Sequence, residues 1–375
     1  MSRSMRLPWV VLAASLLSGA LLSSGCAPRK PAQGWQAVEV PTDAEFQGVW
    51  FTDSLNGWIT GGGYMIDGGI VGRTRDGGRT WSFKTGVLAR GGTNFSLNRV
   101  QFRDSLHGCV VGYGGFVLVT DDGGGSWRPV RDGRSPGDGL FDVQFIDDRN
   151  GWAIGSASII RTEDGGETWR PLVYSTSENG YLSGNVIHFV DEQVGWLAGH
   201  SGNLMRSGDG GRTWTRVALP FREGEHPTLW DITFSDASHG WAVGERGSIF
   251  HTEDGGSTWA LQENGVPVVR SIPKGEAPRP REPIPELETE PDRLTVSAVQ
   301  FVDSEHGFAV GYYADVGESV VLGTVDGGAT WRVERVVPGE VLRSLFMLDP
   351  EHAWAAGDRA RTMPQVVLRR FAQGG

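Results

Sequence analysis

The sequence predicts an all-β fold, a seven-bladed β-propeller, from two repeated motifs and from its composition. Of the 375 residues, 56 are Gly and 15 are Trp. Gly is about twice as frequent as in an average protein, which suits many tight turns between short strands. Abundant aromatic residues and only 21% charged residues argue against a disordered chain. The net charge of −11 argues against a cationic surface for phosphate groups, so nucleic acid is not an expected partner.

The first motif, Ser/Thr-x-Asp-Gly-Gly-x-Ser/Thr-Trp, predicts a tight turn between two strands. It recurs six times, at 74–81, 120–127, 162–169, 207–214, 252–259 and 324–331. An Asp side chain accepts hydrogen bonds from nearby backbone N–H groups, and a Gly pair permits positive φ. The shared residues are Asp76, Asp122, Asp164, Asp209, Asp254 and Asp326, with Trp81, Trp127, Trp169, Trp214, Trp259 and Trp331. Since no copy has a second acidic residue at fixed spacing, we interpret these residues as structural and expect no metal there.

The second motif, Phe-x-Asp-x-x-x-Gly-aromatic-x-x-Gly, marks the preceding pair of strands. It occurs at 51–61, 145–155, 189–199, 234–244 and 301–311, at 102–112 with Cys109 in the aromatic position and, more loosely, at 347–357. One unit then reads as four strands, over 97–102, 108–112, 116–120 and 127–130. Four strands repeated seven times at about 45 residues indicate four-stranded antiparallel blades arranged around an axis.

The ring is predicted to close through the two ends of the chain. The seventh unit lacks the Asp-Gly-Gly motif, although 365–371 still reads as a strand. The segment 34–38 resembles the Trp-led strand that follows the motif elsewhere, as at 168–172. We therefore expect the N-terminal strand to complete the last blade, so that the propeller spans 34–371.

The N-terminal segment is expected to direct export. Residues 1–25 combine Arg3 and Arg6 with a short apolar run, which is typical of a cleaved signal peptide rather than a spanning helix. Small residues directly before Cys26 resemble a bacterial lipoprotein box, and the resemblance implies lipidation of Cys26. Residues 26–33 then form a lipid-anchored tether. The expected location is the cell envelope, as a periplasmic or outer-membrane lipoprotein.

A Pro/Glu-rich insertion lengthens one connection between blades. Residues 263–294 contain seven prolines, and this density favours extended chain. Two interpretations stay open: a flexible excursion, or a flap over the variable face of the propeller.

The two motifs together resemble the Asp-box, or bacterial neuraminidase repeat, propellers. The order Phe-x-Asp-x-x-x-Gly-Trp-Ala-x-Gly and then Thr-x-Asp-Gly-Gly-x-Thr-Trp is most similar to the photosystem II stability/assembly factor-like propellers. That resemblance implies a non-catalytic protein that binds a protein partner, with an integral membrane protein as the partner in photosynthetic members. No cofactor is implied, and the role need not be photosynthetic.

The same motifs also occur in glycoside hydrolases, so a sialidase- or xyloglucanase-type hydrolase acting on extracellular glycans is the alternative. The arginine-bearing first-blade segment of sialidases is missing, since 38–51 contains no Arg. Possible acids are Glu223, Glu245, Asp142 and Asp231, but the sequence assigns no catalytic residue. We expect a binding protein rather than an enzyme.

The expected binding face is the one opposite the Asp-Gly-Gly turns, because its loops differ from copy to copy. Arginine and aromatic side chains there suit protein recognition. The candidates are Arg90, Arg99, Arg134, Tyr181, His200, Trp230, Glu245, Arg246, Tyr312, Asp358 and Arg359.

Overall fold

The computed structural model describes residues 34–63, 68–87, 96–132, 139–156, 158–176, 184–262, 293–314, 317–359 and 365–371. The predicted signal peptide and the tether with Cys26 lie outside the described residues. So does the insertion up to residue 292, while its last residue, Leu294, already opens a strand.

Seven sheets form a ring of blades, which confirms the predicted fold. The first three blades contain β2 (Glu45–Phe51), β3 (Gly57–Gly62), β4 (Ile70–Thr74) and β5 (Ser82–Thr85); β6 (Leu97–Phe102), β7 (Gly108–Gly112), β8 (Phe116–Thr120) and β9 (Arg128–Asp132); and β10 (Leu140–Phe145), β11 (Gly151–Gly155), β12 (Ile159–Thr162) and β13 (Arg170–Pro171). Strand β9 begins one residue later than predicted, at Arg128 rather than at Trp127.

Blades four to six follow the same antiparallel plan. They contain β15 (Val186–Phe189), β16 (Gly195–Ala198), β17 (Leu204–Ser207) and β18 (Thr213–Arg216); β19 (Leu229–Phe234), β20 (Gly240–Gly244), β21 (Ile249–Thr252) and β22 (Ala260–Leu261); and β23 (Leu294–Phe301), β24 (Gly307–Tyr313), β25 (Glu318–Thr324) and β26 (Arg332–Pro338). A short strand, β14 (Ser175–Thr176), adds a fifth, parallel strand to the edge of the fourth blade. Single 3-10 turns span Tyr113–Gly115 and His200–Gly202.

The seventh blade joins the two ends of the chain, as predicted. It contains β27 (Glu340–Asp349), β28 (His352–Arg359), β29 (Val366–Arg370) and, as its outer strand, β1 (Trp35–Glu39). The pairing runs from Trp35 opposite Arg370 to Glu39 opposite Val366. The ring is therefore closed by backbone hydrogen bonds between residues more than 300 positions apart.

Aromatic side chains hold neighbouring blades together. Trp58 on strand two of the first blade stacks on Phe102 of the second, with ring centroids 3.6 Å apart. Trp127 meets the same Phe102 edge-on at 5.9 Å. The Trp58 indole N–H donates to the carbonyl of Gly123, inside the Asp-Gly-Gly turn of the second blade, at 3.0 Å. The same indole bond to the next blade is made by Trp152, Trp241 and Trp354, so four interfaces join a Trp of one blade to the Asp-Gly-Gly turn of the next.

The Asp-Gly-Gly turns are closed by their own side chains. In the second blade, Asp122 accepts the N–H and the hydroxyl of Ser126, both at 2.8 Å. The Thr120 hydroxyl donates to the same carboxylate and accepts from the N–H of Gly124. The backbone N–H and hydroxyl of Ser126, followed by the Thr120 hydroxyl, lower the pKa of Asp122 to about 2. Both oxygens are thus used within the turn, as the structural interpretation requires.

The propeller has two faces, which carry different sets of connections between strands. The turn face carries the Asp-Gly-Gly turns and the turns between strands one and two, such as 52–56. The mouth face carries the connections between strands two and three, such as Tyr113–Gly115, and the connections between blades. The N-terminal strand begins on the turn face, because Trp35 pairs with the last residue of β29.

Candidate functional site: the mouth of the propeller

One irregularity near the start of strand one shapes the mouth. In six blades the register shifts there and leaves one residue without a partner on strand two. A β-bulge of this kind bends the strand and re-aims the unpaired side chain. The bulged residues are Gln47, Asn98, Phe141, Trp230, Ser297 and Arg343, and Asn185 has the same position just before β15. All seven side chains line one cavity of about 450 Å³ at the centre of the mouth face.

Aromatic side chains give this cavity an apolar rim. Phe141 and Trp230 each remain 36% exposed, and Tyr113 from the second blade is 56% exposed. His200 meets the Trp230 ring edge-on at 6.1 Å, and Tyr312 completes the lining. Large, partly exposed aromatic groups around a cavity are typical of surfaces that bind another protein.

A buried ion-pair network lies at the floor of the cavity. The Arg99 Nε donates to Asp142 at 2.8 Å, and an Arg99 terminal nitrogen lies 3.9 Å from Asp231. Asp142 also accepts the N–H of Ile187, and Asp231 accepts that of Val299. Burial raises the pKa of Asp231 to about 6. The network therefore joins the first strands of five successive blades beneath the mouth.

Three glutamines continue this pattern along the axis. Gln101 accepts the N–H of Phe145 at 2.7 Å and donates to the carbonyl of the same residue at 3.0 Å. Gln144 makes the same pair of bonds to Phe189, and Gln300 makes them to Met347. A second cavity, of about 240 Å³, is lined by these side chains. Each glutamine thus fixes the next blade through its backbone.

The structure brings four of the predicted binding residues into the mouth. Arg99, His200, Trp230 and Tyr312 line the cavity. Arg90, Arg134 and Tyr181 lie outside the described residues. The other four, Glu245, Arg246, Asp358 and Arg359, lie on the mouth face beside the cavity rather than in its lining.

Three described arginines of this face are paired with acids of the chain itself. Arg246, which has a φ of 57°, lies 2.9 Å from Glu225. Arg359 pairs with Asp43, and Asp358 pairs with Arg343. The described part of the face is therefore a mixed, ion-paired surface around an aromatic cavity rather than a continuous basic patch.

The cavity residues that the sequence did not indicate are mainly the bulged ones. Phe141, Asn98, Asn185 and Arg343 line the cavity, yet no motif includes them. A usable signal exists, because each lies four residues before the Phe or Met that opens the second motif. Aligning the seven units on that residue shows one variable position in each, and these positions meet at the mouth.

The described residues contain no group of three or more His, Cys, Asp or Glu side chains arranged to hold a metal ion. Within the same ranges, no helix has the length and apolar character needed to cross a bilayer.

Comparison with known proteins identifies the family. The sequence matches the family described as photosynthesis system II assembly factor YCF48 over residues 27–140, 137–229 and 221–269. A curated relative, the photosystem II assembly lipoprotein Ycf48 of Synechococcus sp. (strain CC9902), is 31% identical over 120 residues. This match covers 31% of the chain and about a third, 34%, of the relative.

Solved structures show the same architecture. A structure described as YCF48 bound to a D1 peptide has a TM-score of 0.66 at 19% identity and covers 92% of this chain and 96% of that one. The YCF48 structure from Cyanidioschyzon merolae has a TM-score of 0.67 at 19% identity, with 90% and 99% covered. The similarity of fold agrees with the family match, which covers more than half of the sequence. The chain belongs to the photosynthesis system II assembly factor YCF48 family.

Proposed function

We propose that this protein is a non-catalytic binding protein that takes up a segment of a protein partner at the mouth of the propeller. The observation that carries the proposal is the convergence of seven bulged or bulge-equivalent side chains on one cavity of about 450 Å³. That volume accommodates a few side chains of a peptide rather than a folded domain. The related YCF48 structure with a D1 peptide makes a peptide of a membrane protein the first partner class to test.

The rim and the floor of the mouth would have different roles in such a complex. Tyr113, Phe141 and Trp230 offer exposed rings that lose water when an apolar side chain enters. Asn98 and Asn185 each donate to a carbonyl of the next blade, which fixes their amide groups beside the cavity. Because the floor network is already paired, it holds the rim in place without needing a ligand.

Export and anchoring belong to the same proposal. The lipoprotein name of the Synechococcus relative supports lipidation at Cys26 after removal of residues 1–25. The anchored protein would then meet its partner in the cell envelope, with a membrane protein as the class that the family favours. The process served need not be photosynthetic.

A hydrolase of the sialidase or xyloglucanase type receives less support from the cavity. The two acids that line the cavity are Asp142 and Asp231, and all four of their carboxylate oxygens accept hydrogen bonds. Asp142 accepts from Arg99 and the N–H of Ile187, and Asp231 accepts from the N–H groups of Ile232 and Val299. These carboxylates therefore connect neighbouring blades through hydrogen bonds. A screen with sialosides and xyloglucan oligosaccharides tests the alternative, and turnover abolished by Asp142→Asn or Asp231→Asn would establish it.

Binding of a fluorescent D1 peptide, followed by anisotropy, tests the main proposal. Truncating Trp230 to Ala should weaken binding at least about tenfold, as removal of a central aromatic contact does elsewhere. Phe141→Ala should act in the same direction. Val173→Ala is the matched control, because Val173 is 90% exposed outside the cavity. Equal affinity of the wild type, Trp230→Ala and Phe141→Ala would contradict binding at the mouth.

A further inference from the structure

The turn between strands one and two has the same backbone in all seven blades. In every blade its Asp accepts the N–H of the second and of the third residue that follow, as Asp53 does from Leu55 and Asn56 at 2.8 Å. The second residue after the Asp is Leu55, Leu106, Arg149, Gln193, Ser238, Glu305 and Glu351 in blades one to seven. The turn therefore forms with polar or charged residues at this position and does not require leucine.

Leucine occupies this position only in the first and second blades. Leu55 is 49% exposed and Leu106 is 50% exposed. Single exposed leucines are ordinary, but these two stand at equivalent positions in adjacent blades on the turn face. The turn does not require either leucine, so their shared exposure points to contact with another surface.

The N-terminus of the propeller lies next to these leucines. Trp35 pairs with Arg370, and the following Phe371 approaches Gly77 so closely that a Cβ there would lie 2.6 Å from its ring. The N–H of Gly77 in turn donates to the carbonyl of Leu55 at 2.9 Å. The same bond in the next blade runs from Gly123 to Leu106 at 2.8 Å. A chain of direct contacts thus leads from the first strand to Leu55, and the equivalent bond gives Leu106 the same position in the next blade.

The anchor that we propose at Cys26 would reach the membrane from this side. Seven residues, 27–33, lie between Cys26 and Gly34, and extended chain spans at most about 3.5 Å per step, or about 28 Å over the eight steps. A short tether that leaves from the turn face keeps that face nearer to the bilayer than the mouth. It also raises the effective concentration of any weak contact between the face and the lipid.

We propose that the turn face of the first and second blades rests on the lipid bilayer, with Leu55 and Leu106 in its interfacial region and the mouth directed away. The occupant is a lipid surface rather than an anionic protein, because the charge here is mixed. The turns of these two blades contain Arg75 and Arg79 as well as Asp53, Asp76, Asp104 and Asp121, so burial of apolar side chains supplies the contact. The mouth then captures partner segments that extend out of the membrane. This orientation rests on the proposed anchor at Cys26.

Depth-dependent quenching on tethered vesicles tests the orientation. The chain carries a hexahistidine tag in place of residues 1–25 and Cys26→Ser, and it is held on phosphatidylcholine vesicles that contain a nickel-chelating lipid. The tether is thereby supplied whether or not cells acylate Cys26, so failure of the anchor proposal is distinguished from failure of the orientation. Single cysteines replace Leu55 or Leu106 and carry a bimane label. Cys109 does not compete, since it is buried.

Matched controls occupy the same turn position in distant blades. Gln193→Cys and Ser238→Cys are exposed on the turn face of the fourth and fifth blades, and Phe141→Cys reports from the mouth. Nitroxide-bearing lipids should quench the labels at 55 and 106 several-fold more than those at 193, 238 and 141. Equal quenching at all positions, or the strongest quenching at 141, would overturn the proposal. Labels at 55 and 106 that are shielded from aqueous iodide but not quenched by the lipids would also overturn it, in favour of a second copy of this chain.

Discussion

The two faces of the propeller use the same repeated scaffold in opposite ways. On the turn face, six Asp-Gly-Gly turns repeat nearly the same set of hydrogen bonds, from Thr74 with Asp76 to Thr324 with Asp326. On the mouth face, one strand position holds Gln, Asn, Phe, Asn, Trp, Ser and Arg around the ring. The comparison teaches that residues repeated from blade to blade stabilise the fold, whereas a position that varies among the blades indicates a surface that contacts another molecule.

The largest effect on stability is expected from removal of the N-terminal strand, which closes the repeated scaffold into a ring. Deleting 34–40 removes the outer strand of the seventh blade and its five-residue pairing with β29. The Tm should fall by more than about 10 °C, since an unpaired edge and an uncovered core remain. Deleting the tether residues 27–33 should leave the Tm unchanged. A normal Tm without 34–40, measured by circular dichroism, would contradict closure by this strand.

Replacing one Trp on each face sharpens the contrast. Trp58 is fully buried, and Trp58→Ala should lower the free energy of unfolding by about 3–5 kcal/mol through a lost stack and a large cavity. Trp230→Ala should change it by less than about 1 kcal/mol while weakening peptide binding. Urea unfolding of both variants decides the point. Similar destabilisation by the two substitutions would remove the distinction between scaffold and site.

A smaller effect is expected from a single turn. Asp122→Ala removes the acceptor for Ser126 and Thr120, and it should cost about 1–2 kcal/mol, as loss of a comparable capping side chain does. Peptide affinity should stay within about twofold of the wild type. A chelator should not reproduce the loss of stability, because hydrogen bonds rather than a metal ion close the turn.

An effect of similar size depends on pH and concerns the mouth half of the seventh blade. Burial raises the pKa of Glu340 from 4.5 to about 8, with Arg359 opposing and Asp358 reinforcing the rise. Because the folded pKa exceeds the unfolded one, the stability contributed by the protonated form is complete below about pH 4.5 and is lost as the pH rises through 8. Glu340→Gln should therefore match the wild type at pH 5 and exceed it by about 1–3 kcal/mol at pH 9. An identical pH profile of the two proteins would show that Glu340 is not held protonated.

Most of the fold could be predicted because its signals are consecutive in the sequence. The Asp-Gly-Gly turns and the Trp-led strands repeat with a spacing of about 45 residues, and 34–38 carried the missing strand. What each Trp contacts could not be predicted, since Trp58 meets Gly123 and Trp354 meets Gly77 across blade boundaries. Phe308 and Cys109 stand where the other five blades have Trp. The blade after Phe308 has no Asp-Gly-Gly turn, whereas the blade after Cys109 has one, so the missing turn alone does not account for both replacements.

The site was only partly predictable for the same physical reason. Loop arginines suggested a basic surface, but pairing of Arg99 with Asp142 or Arg246 with Glu225 depends on neighbours 43 and 21 residues away. The bulges that turn Phe141 and Trp230 into the cavity leave no mark in local composition. Their positions become visible only when the seven units are compared with one another.

Crosslinking from the mouth in living cells tests the central claim most directly. A photoreactive benzoylphenylalanine replaces Phe141 in the cavity or, as the control, Val173 on the outer edge, and crosslinked partners are identified by mass spectrometry. The account predicts that position 141 captures a defined segment of one protein, that Trp230→Ala abolishes this capture, and that position 173 captures no such segment. Equal capture at the two positions, or none at 141 in cells where 173 reacts, would contradict it.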